Sequence, residues 1–115
     1  MAQLFFSPAG DCYEASFTTS AANMVMTNQS LTSTTGFKID NQSGNLCFVQ
    51  FGTSQAAVAN VGHPTPGSGN AASSIAVRTG DTLFVNPGLG TYTGNVWVGT
   101  ISISGGGNIF IQAGE

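Results

Sequence analysis

At 115 residues the chain has room for one domain and one modest core, burying roughly two thirds of the surface its unfolded form exposes. Charged side chains make up 6 % of it, against about 25 % in an average soluble domain, and the formal charge is −3. Two cations, Lys38 and Arg78, cannot neutralise the several phosphates that nucleic-acid binding requires, and no run approaches the ~20 apolar residues of a spanning helix, so neither nucleic acid nor membrane is expected as a partner.

The chain opens on "MAQLFFSPAG", which lacks the positive n-region and the h-region of a secretory signal, so synthesis in a reducing cytoplasm is expected. In such a compartment Cys12 and Cys47 read as two small buried hydrophobes rather than a disulfide. Helical spacing is interrupted everywhere by Gly, Ser, Thr and Asn. Short β-branched and aromatic runs recur instead: "QLFF" (3–6), "EASFTT" (14–19), "NMVMTN" (23–28), "GFKID" (36–40), "LCFVQFG" (46–52) and "QAAVAN" (55–60). After the Gly/Pro-rich stretch "VGHPTPGSGNAASS" (61–74), read as a surface loop and the best contact-loop candidate, come "SIAVRTG" (74–80), "DTLFVNPG" (81–88), "GNVWVGTISISG" (94–105) and "NIFIQAG" (108–114). Strands at this spacing predict an all-β fold, an antiparallel sandwich, jelly roll or barrel, of which a jelly-roll-like β-sandwich is the form expected. "DNQSGN" predicts a hairpin turn between the runs at 36–40 and 46–52. Residues 1–36, richer in Ser, Thr, Ala and Asn, form either an extended N-terminal arm or two peripheral strands, and residues 37–115 form the sandwich domain.

Strand phase is the most informative pattern. Phe37 and Ile39 share one face, with Lys38 and Asp40 on the other, as in a half-buried strand. In the next strand Cys47, Val49 and Phe51 share a face while Leu46 and Phe48 fill the opposite one. The same double filling puts Phe84 opposite Leu83 and Val85, Trp97 opposite Val96 and Val98, and Phe110 opposite Ile109 and Ile111. Four aromatic rings on second faces need a cover, because each carries ~150–250 Å² of surface. Phe48, Phe84, Trp97 and Phe110 are therefore candidate interface residues. Arg78, inside an apolar strand, joins them as either a structural ion pair with Asp81 or Glu115 or a salt bridge to a neighbouring subunit.

No residue pattern supports catalysis. His63 is a lone loop histidine in "GHPTP", and Asp11 with Glu14 is a carboxylate pair of the kind any domain contains. Cys12, Cys47 and His63 lack metal-ligand spacing, and "GLGTYTG" (88–94) precedes a strand where a phosphate loop needs a helix. No catalytic residue, metal or cofactor is expected. Tyr13, Tyr92 and Trp97 would suit a sugar-stacking platform, although burial in a core or interface is the better explanation of them.

The order "FKIDNQSGNLCFVQFGT" (37–53), "VRTGDTLFVNPG" (77–88) and "VGTISISGGGNIFIQAGE" (98–115) resembles the small structural virion proteins of tailed bacteriophages. What the resemblance implies is a non-enzymatic head decoration or cement protein, made in the host cytoplasm and located in the virion. Such a protein acts as a homotrimer, bound to the major capsid protein or other virion proteins, and stabilises the head lattice. A tail or neck component, or a host-surface or carbohydrate-binding module using the 61–74 loop, is the alternative.

Overall fold

The computed structural model describes residues 8–64, 66, 67 and 74–115. Among these residues eight strands follow one another: β1 (Pro8–Phe17), β2 (Ala22–Leu31), β3 (Gly36–Asp40), β4 (Cys47–Gly52), β5 (Ile75–Val77), β6 (Thr82–Val85), β7 (Tyr92–Ile101) and β8 (Gly107–Gly114). One short helix, α1 (Gln55–Val58), lies between β4 and β5. The run at 3–6 falls outside the described residues.

Pairing proceeds from the ends of the chain inward. β1 pairs with β8, β2 with β7, β3 with β6 and β4 with β5, all antiparallel. The chain is thus laid out like one long hairpin whose bend is the β4–β5 connection. Winding that ribbon on itself adds the β3–β8 and β4–β7 pairs and gives two four-stranded sheets, β1-β8-β3-β6 and β2-β7-β4-β5. This is the jelly-roll form of the β-sandwich. Pro8–Leu31, within the stretch open to both an arm and a peripheral-strand reading, supplies one edge strand to each sheet.

The winding corrects one expectation. β3 and β4 are not a hairpin: β3 belongs to the first sheet and β4 to the second, so the polar turn between them crosses from layer to layer. Asn41, fully buried, holds that crossing. Its Nδ2 donates to the carbonyls of Asn45 (3.0 Å) and Val77 (2.9 Å), and its Oδ1 accepts from the amide (3.0 Å) and hydroxyl (2.6 Å) of Ser43. A buried amide with every strong partner in place costs little, whereas an orphaned one would be strongly destabilising.

The core lies between the sheets. Ala15, Phe17, Phe37, Ile39, Ile109, Ile111 and Ala113 face Met26, Leu31, Cys47, Val49, Val77, Val96 and Val98. The Phe37 and Phe51 rings stack across the gap at 4.7 Å and 27°. Cys47 is inside, and desolvation pushes its thiol up to about 12, against a smaller lowering from a backbone hydrogen bond at Ile101. Cys12 departs from expectation: it is exposed on β1, because its register places it on the outward row of an edge strand.

The run at 55–60 departs as well. It begins a helical turn, capped where the Ser54 side chain accepts from the Ala57 amide at 3.3 Å. Alanine favours helix and carries no branched carbon to fill a pleat, and the serine supplies the start signal.

Candidate interaction surface

A sandwich has two outer faces, and here they differ. On the β2-β7-β4-β5 sheet the outward positions include Val25, Phe48, Gln50, Gly52, Ala76, Trp97, Gly99 and Ile101, set by the β2–β7, β4–β7 and β4–β5 registers. The first part of the β4–β5 connection, residues 54–63, lies over this face. Val58 and Val61 are fully buried yet stand apart from the inter-sheet core. They sit directly above Gly99, where a Cβ would come 2.8 Å from the Val58 carbonyl and 3.0 Å from the Val61 Cβ. Gly52 makes a similar approach beneath Ala57, at 2.8 Å. Glycines at these two positions let the strap lie against the sheet backbone.

Phe48 is sealed by that strap. It is 8 % exposed, and the His63 ring stands 5.8 Å from its own at 34°. The double-faced burial of β4 is therefore met by this chain's own loop, with no second subunit needed. Trp97, on the same face beside Gly52, is half-buried.

The outer face of the β1-β8-β3-β6 sheet carries no such strap among the described residues. Its register places four side chains in each of two rows. One row runs Cys12, Gln112, Lys38, Phe84, and the next runs Glu14, Phe110, Asp40, Thr82. Phe84 is 47 % and Phe110 40 % exposed, which makes them two of the three large hydrophobics so exposed among the described residues. Between the rows Cys12, Lys38, Asp40, Phe110 and Gln112 line a shallow depression of about 180 Å³. The second-face aromatics read from strand phase thus divide by sheet: Phe48, beneath the strap, and Trp97 on one, Phe84 and Phe110 on the other. Sequence alone could not make that division, since it depends on which sheet each strand enters.

The polar candidates stay scattered. Glu14 accepts from the Asn108 amide at 2.9 Å, Asp11 is exposed, and no group of acids, histidine and cysteines among the described residues could hold a metal. Arg78 is exposed and makes no ion pair with Asp81 or Glu115, which corrects the expected intrachain bridge. Its carbonyl instead closes the turn by accepting from the Asp81 amide at 3.0 Å. The Glu115 carboxylate accepts from the Thr34 (2.6 Å) and Thr32 (2.9 Å) hydroxyls, bonds that draw its carboxyl below the ordinary range. The rings of Tyr13 and Tyr92 pack against the inter-sheet core, whereas Trp97 points outward, so the three form no shared platform.

No protein-family model, curated protein or solved structure matches the chain.

Proposed function

We propose that this is a non-enzymatic structural protein of a phage particle, a head decoration or cement protein that associates with copies of itself and with the capsid lattice. One observation carries the reading: a four-stranded face that leaves Phe110 40 % exposed beside Lys38 and Asp40, with no strap over it among the described residues, whereas a loop of the same chain buries Phe48 on the opposite face. Exposed aromatic surface of this kind is stabilised when another protein covers it, at about 25 cal/mol per Å². The near absence of charge supports the same reading, because repulsion between packed copies is then small. Jelly rolls serve many functions, so the fold alone carries no weight here; the open face and the sequence resemblance do. Binding to an assembled lattice would stabilise that lattice by mass action, with no chemical step.

The test combines two measurements on the purified chain: its mass in solution by light scattering, and its co-sedimentation with phage heads assembled in its absence. Self-association together with saturable binding to heads is expected. A monomer that remains in the supernatant overturns the reading.

A further inference from the structure

We propose that two copies of this chain stack face to face through the outer surface of the β1-β8-β3-β6 sheet, about a two-fold axis that crosses the strands between the Lys38 row and the Asp40 row. The inference rests on reading that surface as the association face, and it names the partner and the geometry. A two-fold contact lays one surface on itself, so the surface must complement its own reversed image. Two ways of stacking this sheet on itself centre on β3. An axis along β3 would set Lys38 against Lys38 and Asp40 against Asp40, opposing like charges. An axis across the strands sets each Lys38 against the other copy's Asp40, twice per dimer, and charge selects that arrangement.

Neither group is neutralised by an opposite charge among the described residues. Lys38 makes no ion pair among the described residues, and both residues are half-buried beside the exposed Phe110. Asp40 accepts from two neutral donors, Gln42 Nε2 at 2.7 Å and Thr82 Oγ1 at 3.1 Å, both at Oδ1. Its Oδ2 remains for the second copy's ammonium. The same axis brings Phe110 of the second copy opposite Gln112, over the depression that Cys12, Lys38, Asp40, Phe110 and Gln112 line. Apolar surface is then covered where the charges pair.

The size of the face sets the strength. Four strands about 4.8 Å apart and ten, eight, five and four residues long present roughly 430 Å² per copy, so the stack, about 860 Å² in total, falls among weak, transient interfaces rather than standard ones. Association is expected to depend on concentration and to weaken with salt. A closed three-fold ring, by contrast, joins two different patches and gives no reciprocal Lys38–Asp40 pairing.

Sedimentation and native mass measurement test this with Lys38→Glu and Asp40→Lys. The wild-type chain should show twice its 11.7 kDa monomer mass, and each variant alone should associate at least about tenfold more weakly, because its contact opposes like charges. Mixed in equal amounts, the two variants should recover a heterodimer. At one of its two contacts the introduced carboxylate meets the introduced ammonium, and at the other the native Asp40 of the first variant meets the native Lys38 of the second. No intramolecular effect of either substitution produces that rescue. Should either variant fail to fold by circular dichroism, Lys38→Gln and Asp40→Asn with a salt series replace them, and dimerisation should then weaken in each and lose its salt dependence. Dimers in both charge-reversed variants, or no heterodimer in the mixture, overturn the proposal. A wild-type mass of one or three monomers with binding to heads retained overturns the two-fold stack while leaving the decoration reading in place. A monomer that also ignores heads overturns both.

Discussion

The two outer faces of this sandwich began from the same sequence signal, a large aromatic on the second side of a strand, and ended in opposite states. Phe48 is buried with the His63 ring of its own chain 5.8 Å away, and Phe110 faces outward. The difference teaches that double-faced filling of a strand reports a missing layer without saying who supplies it. Here the first part of the β4–β5 connection supplies it for one sheet, and the other sheet carries no such layer among the described residues.

The largest expected effect separates the faces directly. Phe48→Asp removes a buried ring, a loss of ~3–5 kcal/mol, and adds the cost of desolvating a carboxylate beneath the strap. Against a total stability of ~5–15 kcal/mol, thermal or urea unfolding should show a severely destabilised or unfolded chain. Phe110→Asp, the same change on the open face, sets a carboxylate between Glu14 and Asp40 and should cost the monomer about 1–2 kcal/mol, well short of the loss at Phe48, while abolishing self-association. Equal destabilisation by the two would erase the contrast.

A smaller perturbation lifts the strap without introducing charge. Gly99→Ala places a methyl group 2.8 Å from the Val58 carbonyl, and overpacking of this kind costs ~1–3 kcal/mol. Hydrogen exchange should become faster in 54–61, with the β1–β8 ladder unchanged.

The cysteines report on the same division through chemistry. Cys12 lies on the open face and Cys47 in the core, so a thiol reagent should label one site per native chain and two after denaturation. Burial raises the Cys47 pKa from 9.0 to about 12, so its neutral form is the one the fold favours. The stability this contributes is complete below about 9 and is lost as pH rises toward 12, and urea titrations over that range should show a decline that Cys47→Ala reduces.

The smallest effect is at Glu115, where the depressed carboxyl contributes stability above its ordinary value of 4.5 that fades as pH falls through the folded value. An NMR titration should place its midpoint below 4.5, and Thr34→Val, which removes the strongest of the causes, should move it back upward.

How far the fold was legible depends on which interactions carry it. The strand segments at 36–40, 46–52 and 108–114 follow from local alternation and turn residues, and they stand in the structure within a residue or so of where the pattern puts them. The helical turn inside the 55–60 run escapes the pattern because four residues leave no periodicity to detect, and only Ser54 hints at it. The expected hairpin between β3 and β4 failed for a different reason. A turn rich in Asn and Gly reverses the chain equally well within a sheet or between sheets; here the pairings of β3 with β6 and β8 and of β4 with β5 and β7 carry it across, and the Asn41 amide bonds the Val77 carbonyl on the far side.

By itself the sequence determined that this chain is a charge-poor, all-β sandwich with more aromatic surface than one inter-sheet core can absorb, because alternation and turn chemistry are local properties. Only the tertiary structure decided which aromatics are covered. Register and sheet membership are set by pairings between residues as far apart as Pro8 and Gly114, and those pairings placed Phe48 under the strap and Phe110 on the open face beside Lys38 and Asp40.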